Sequence, residues 1–203
     1  KFINYINKPL FMHSVDKALK SKLFKSILIV SNTPIKSFKD KSIKVIKGGK
    51  ERYQSSQKAL DFLKSKKIKN VFIHDAARPN FSIKLLKKLN ENLKNNKAVI
   101  PFIKTKNSVK YKMRNKLQNL DRDKLIFTQT PQCFDYKTIY KISKLNKNLV
   151  TDEASLFLNY NKKIKFIKGE EDNFKITTKS DLGKLTIKSF YGIGFDIHRL
   201  IKN

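Results

Sequence analysis

The sequence predicts an α/β fold, a mainly parallel sheet flanked by helices, and three observations carry that prediction. Short runs of β-branched and aromatic residues, such as Val71-Phe72-Ile73, have the length and composition of strands buried on both faces of a sheet. Stretches with helical spacing alternate with these runs. The connections are short, so successive strands must lie near one another as βαβ units.

Size and composition agree with one such domain. A chain of 203 residues with 39% hydrophobic and 11% aromatic content can bury a substantial core and is too apolar for disorder. No apolar run approaches the roughly 20 residues that span a bilayer, and the opening KFINYINKP lacks the apolar stretch of a signal peptide. The single Cys133 forbids an intrachain disulfide and fits a reducing compartment, so a cytoplasmic protein with no membrane partner is expected. The net charge of +30 raises the alternative of a basic nucleic-acid-binding module. Against it, only five of the 46 basic residues are arginines, the side chain suited to bidentate phosphate and base contacts. The lysines are also scattered over every helix and loop instead of forming one stripe, so no nucleic-acid partner is expected.

Taken in order, residues 10–23 have the spacing of an amphipathic helix, with Leu10, Val15, Ala18 and Leu19 near one face. His13 falls in it and is given no role. Residues 26–31 and 43–46 read as strands, the second ending at Gly48 and Gly49. The run GGKERYQSSQKAL then opens a helix. Paired glycines let backbone approach a ligand, and the unpaired N–H groups of a helix's first turn suit an anionic or carbonyl-rich partner; an ordinary turn has the same sequence.

The central stretch is KNVFIHDAARPNF, residues 69–81. Its strand ends abruptly in polar residues, and in open α/β sheets ligands bind beyond the carboxyl ends of strands. Asp75 and Arg78 stand there, a carboxylate and a guanidinium suited to a metal-bound phosphate. The competing account is an Asp that caps the next turn and an Arg that pairs with it. A helix over 83–93 and a strand over 98–103 follow. From Thr105 the pattern changes to extended pieces at 109–113, 116–120 and 125–129, which predicts a β-arm whose open edges a partner subunit would cover.

Helical spacing resumes over 135–145. Thr151 and Asp152 read as caps for another helix. Strands are expected at 164–168 and 173–177, and a final helix at 180–189. The tail YGIGFDIHRL stands outside this scheme: Asp196 and His198 alternate along an extended segment and would leave one face together, as two metal ligands do.

Six motifs then share one pattern: Lys8-Pro9-Leu10, GGKERYQSS, HDAARP, LDRDKLIFTQTPQCF, TDEAS and DNFKIT. In order and spacing they resemble the 2-C-methyl-D-erythritol 4-phosphate cytidylyltransferases of the non-mevalonate isoprenoid pathway, over about residues 1–188. The tail GIGFDIHRL is similar to the opening of the 2,4-cyclodiphosphate synthases, and some bacteria fuse the two enzymes. The resemblance therefore implies a Rossmann-like cytidylyltransferase domain at 1–188 and the start of a synthase (lyase) domain at 189–203. The family's glycine-rich loop belongs ahead of Lys1.

What the resemblance implies can be placed on single residues. CMP would pass from CTP to methylerythritol phosphate with release of pyrophosphate, helped by Mg2+ or another divalent cation. Asp75 matches the metal-contacting aspartate on the nucleotide side. Gly48, Gly49 and Ser55 match the positions around the cytosine. Arg122 and Lys175 match the basic pair that holds the sugar phosphate for attack. Arg78 and Ser108 match further phosphate contacts, with the arm around Ser108 reaching into the other subunit of a homodimer. Where the family has Asp-Thr this chain has Asn107-Ser108, which keeps a hydroxyl and loses a carboxylate. Asp196 and His198 match two zinc ligands of the synthase, whose Zn2+ site needs the rest of that domain. A close alternative is an enzyme that activates ribitol phosphate or another alditol phosphate.

Overall fold

A computed structural model describes residues 3–114, 116–148 and 150–185. The chain opens with a small antiparallel hairpin, β1 (Asn4–Tyr5) and β2 (Lys8–Pro9), turned by Ile6 and Asn7, both at positive φ. Pro9 is extended and leads directly into α1 (Leu10–Ser21), which stops where Lys22 takes the left-handed conformation. Then come the strands β3 (Ile27–Val30) and β4 (Ile43–Ile46), paired in parallel with Ile27 opposite Ile43, and the helix α2 (Arg52–Phe62).

The central stretch gives β5 (Asn70–Ile73), followed by α3 (Ile83–Leu93), which Ser82 caps by accepting the Leu85 N–H at 3.0 Å. Next are β6 (Ala98–Ile103), the hairpin β7 (Val109–Met113) and β8 (Lys116–Leu120), and the short strands β9 (Phe127–Thr128) and β10 (Gln132–Asp135). Asp135 caps α4 (Tyr136–Leu145), Asp152 caps α5 (Glu153–Asn159), and β11 (Lys165–Lys168) closes the sheet.

The main sheet has the order β11-β6-β10-β5, with β9 also on β6. Strands β5, β6 and β11 point one way and β10 runs against both of its neighbours. Alternate residues feed two cores, as a period of two requires. Ala98, Ile100 and Phe134 pack with Ile139, Leu156 and Phe157 on one face; Val99 and Cys133 pack with Leu85, Leu86 and Leu89 on the other. The α/β class, with helices on both faces, follows from this alternation. Cys133 is fully enclosed, and burial pushes its thiol well above the ordinary range. No described helix is long and apolar enough to cross a membrane.

Several expectations are corrected. Residues 173–177 are not a strand: the segment is held instead by the Ile176 N–H on the Ala77 carbonyl at 2.8 Å and by the wholly buried side chain of Asn173, which donates to the Thr130 carbonyl. Strand β10 has no expected counterpart, because four residues beginning at a polar Gln132 carry too little pattern. Thr151 is not the cap of α5; Asp152 accepts the Ser155 N–H at 2.9 Å. At the C-terminal side a 3-10 turn spans Ser180–Lys184, and the remainder of the expected final helix lies outside the described residues. So do Asp196 and His198.

Candidate active site

The polar end of β5 is built around His74 and Asp75. His74 is half-buried and packs edge-to-face with Phe81, with ring centroids 4.6 Å apart. Burial disfavours its charged form and lowers its pKa to about 4. Its Nδ1 lies 3.1 Å from Thr130 Oγ1, while Nε2 lies 3.0 Å from the Arg78 carbonyl and 3.2 Å from Ser14 Oγ. The Arg78 carbonyl can only accept, which places the imidazole proton on Nε2 and leaves Nδ1 to accept the Thr130 hydroxyl proton; Thr130 Oγ1 in turn accepts the Asp75 N–H at 3.0 Å. A neutral histidine thus fixes the backbone on both sides of Asp75.

The Asp75 carboxylate meets two cations. Arg52 Nε donates to Oδ1 at 2.9 Å, and Lys175 Nζ lies 3.1 Å from Oδ2. Burial alone would raise this carboxyl, but Arg52 and then Lys175 outweigh it and hold the pKa below the usual carboxylate range. The rest of the Arg52 fork is engaged elsewhere: Nη1 and Nη2 donate to Glu153 Oε1 and Oε2 at 3.0 and 2.8 Å. Glu153 is only 1% exposed. Lys175 reaches Asp75 because the Ile176–Ala77 hydrogen bond lays the 173–177 segment along the loop after β5.

The glycine turn lies at the start of α2. Gly49 N–H donates to Ser55 Oγ at 3.0 Å, Ser55 Oγ donates to the Glu51 carbonyl, and the Gly48 and Gly49 carbonyls accept from Lys58 Nζ and Asn32 Nδ2 at 2.8 Å each. Gln54 Oε1 takes the N–H groups of Lys50 and Glu51. Neither glycine has positive φ. Close packing explains Gly49, since a Cβ there would stand 2.3 Å from that of Gln54. Because α2 carries both Ser55 and Arg52, it ties the glycine turn to Asp75.

Arg78 does not pair with Asp75 through its side chain. Its Nη1 donates to the Asn173 carbonyl at 2.8 Å, and burial lowers its pKa. Its Nε is buried without a partner among the described residues. Arg122 and Ser108 are exposed at the foot of the β7–β8 hairpin, where Arg122 Nη1 donates to the Lys106 carbonyl at 2.7 Å. No described contact joins either of them to Asp75. The structure therefore brings together Asp75 and Lys175, and Gly49 with Ser55; it leaves Arg122 and Ser108 on the arm.

Sequence reasoning gives no role to Arg52, Glu153, Thr130 or His74, although all four stand inside the quoted motifs. Arg52 is one of five arginines in a lysine-rich chain, and Glu153 precedes an apolar run at a helix start. Those two oddities were the available signal. No group of three or more metal-ligating side chains occurs among the described residues. Asp75 alone does fit a magnesium ion that arrives on phosphate oxygens, since such ions take one or two carboxylates and little else from protein.

An α/β sheet with helices on both faces, carrying a carboxylate and converging cations at a strand's carboxyl end, defines an α/β domain with its polar cluster where ligands of open α/β sheets bind. A family model described as 2-C-methyl-D-erythritol 4-phosphate cytidylyltransferase (IspD) matches residues 1–187, and the chain belongs to that family. A protein of Pelagibacter ubique named bifunctional enzyme IspD/IspF is 47% identical over 206 residues, covering 100% of this chain and 55% of its own length. A 2-C-methyl-D-erythritol 4-phosphate cytidylyltransferase of Thermosipho melanesiensis is 31% identical, covering 95% of this chain and 90% of itself. Among solved structures, 4-diphosphocytidyl-2C-methyl-D-erythritol synthase from Anaerococcus prevotii superposes with a TM-score of 0.79 at 28% identity, covering 90% of this chain and 87% of that one. The bifunctional IspDF of Campylobacter jejuni gives 0.76 at 30% identity, covering 91% and 48%. The chain spans about half the length of the bifunctional relatives it matches.

Proposed function

We propose that this chain transfers CMP from CTP to 2-C-methyl-D-erythritol 4-phosphate, giving 4-diphosphocytidyl-2-C-methyl-D-erythritol and pyrophosphate, in the cytoplasm. The observation that carries this reading is the Lys175–Asp75–Arg52 cluster at the end of β5, inside a chain whose family match runs over residues 1–187. An oxygen of the sugar phosphate attacks the α-phosphorus, and the bond from that phosphorus to the pyrophosphate oxygen breaks. The nucleophile is already ionised, so no general base is needed. Two anions must instead be brought together, which is work for positive groups.

In this reading Gly48, Gly49 and Ser55 receive the cytosine, and Lys175 and Arg122 hold the sugar phosphate with help from Arg78 and Ser108. Asp75 would hold a divalent cation, Mg2+ in the simplest case, which when bound neutralises triphosphate charge. Arg122 and Ser108 would act from the arm of a second copy, which accounts for their distance from Asp75. The arm's exposed apolar side chains, Tyr111, Met113 and Leu117, support such a homodimer. Residues 1–188 would form the transferase domain and 189–203 open a cyclodiphosphate synthase domain, as the names of the bifunctional relatives suggest.

The test is pyrophosphate release by the full polypeptide with CTP and methylerythritol phosphate, against ribitol phosphate. Faster release with methylerythritol phosphate is expected. Equal or faster release with ribitol phosphate would overturn the substrate.

A further inference from the structure

The Arg52 guanidinium spends its donors unevenly. Nη1 and Nη2 go to one buried carboxylate, Glu153, with Nη1 also 3.5 Å from the Thr151 carbonyl, and Nε goes to a carboxylate on a different element, Asp75. A tie between α2 and α5 would be complete with the Glu153 pair alone. The guanidinium is planar and rigid, so once both Nη groups are seated on Glu153 the position and direction of Nε are settled too. Glu153 has no described partner other than Arg52, and its burial keeps water from competing for the fork.

The consequence falls on Asp75. Its N–H is held by Thr130 Oγ1 and its Oδ1 by Arg52 Nε. Its Oδ2 faces only Lys175, a long side chain that is 45% exposed. One oxygen of the carboxylate is thereby held by a guanidinium that is itself seated on a buried partner, and the other meets only a half-exposed lysine that can move aside.

Resting on the reading above, we propose that Arg52, seated on Glu153, is a positioning residue that aims Asp75 Oδ2 at the divalent cation carried by the nucleotide. It touches neither substrate nor metal. Arg52 and Glu153 form a bracket for the carboxylate, and a lysine cannot replace the arginine, because one ammonium cannot grip both oxygens of Glu153 and still reach Asp75.

The experiment compares the wild-type chain with Arg52→Lys and Glu153→Gln, using Mn2+ with CTP as the probe and following metal retention by electron paramagnetic resonance. Groups that orient a metal-binding side chain usually change affinity or activity by roughly 10–100-fold. Arg52→Lys is expected to weaken Mn2+ retention by about tenfold or more and to lower kcat by a similar factor, with KM for methylerythritol phosphate within about twofold. Glu153→Gln keeps the volume and one acceptor oxygen, so it should follow in the same direction with a smaller effect; it remains readable if Arg52→Lys does not fold. Mn2+ retention and kcat at wild-type values, with only the melting temperature lowered, would overturn the proposal and reduce the pair to a tie between helices. The outcome is separable from the reaction itself: a wild-type chain that retains Mn2+ with CTP but transfers no CMP sinks the reading of the reaction, while the comparison of retention still decides the role of Arg52.

Discussion

The end of β5 and the β7–β8 arm treat polar and apolar groups in opposite ways. Around Asp75 both carboxylate oxygens, the backbone N–H and the neighbouring imidazole have partners within the same chain. On the arm Leu117 is 70% exposed, Tyr111 and Met113 are little better covered, and Arg122 holds a single backbone carbonyl. The first region is organised before any ligand arrives. The second is a hairpin with clean register, Val109 opposite Leu120 through Met113 opposite Lys116, whose side chains have no core to enter. The contrast separates residues that contacts within this chain hold in place from residues that such contacts leave exposed.

The comparison breaks most easily at Arg52. Arg52→Ala strands Glu153 as a buried, unpaired carboxylate, and the loss of one partner of a buried pair costs roughly 3–5 kcal/mol. The lower end is expected in urea unfolding, because Arg52 is about a third exposed. A loss below about 0.5 kcal/mol would show that the cluster is no tied network.

A change of pH tests the same closure through His74. Folding lowers its pKa from 6.5 to about 4, so between those values the unfolded chain binds a proton that the folded chain refuses. Stability from this group is therefore full above pH 6.5 and falls by about 3 kcal/mol as the pH drops to 4, at about 1.4 kcal/mol per unit. Asp75, whose folded pKa is depressed, loses its contribution in the same direction at lower pH still. His74→Gln should flatten the decline seen in denaturant titrations between pH 6.5 and 4; an unchanged slope would remove the imidazole from the account.

Activity should fall by a hundredfold or more in Lys175→Ala, about 2.7 kcal/mol of lost transition-state stabilisation. Its thermal stability should scarcely move, because the pair with Asp75 is half exposed and worth less than about 1 kcal/mol. A wild-type rate would take Lys175 out of the site. The smallest effect on the monomer is expected for Leu117→Asp, where a charge on an exposed side chain costs the isolated fold less than about 0.5 kcal/mol. In sedimentation the same change should turn a dimer into monomers. A variant that sediments like wild type would leave the arm without a role in association.

The sequence reveals the fold where period and length agree. Residues 83–93 and 98–103 have their boundaries in the text itself, because Leu85, Leu86, Leu89 and Leu93 share one helical face and Ala98 to Ile100 fill both sides of the sheet. Where tertiary hydrogen bonds replace pattern, the reading fails. The 173–177 segment alternates like a strand, but it is pinned to Ala77 and anchored by the Asn173 amide. Strand β10 is too short to announce itself. At the site, Asp75 and Lys175 were legible through the motifs that hold them, whereas the Arg52–Glu153 contact joins residues 101 positions apart and has no local trace.

The enclosed Cys133 has a practical use. Its sulfur points at the Val99 carbonyl from inside the core, and the chain has no other cysteine, so thiol-directed dyes should ignore the native protein. A Leu117→Cys variant would then accept a spin label or fluorophore at one known place, and distances between labelled copies could be read without first stripping the background.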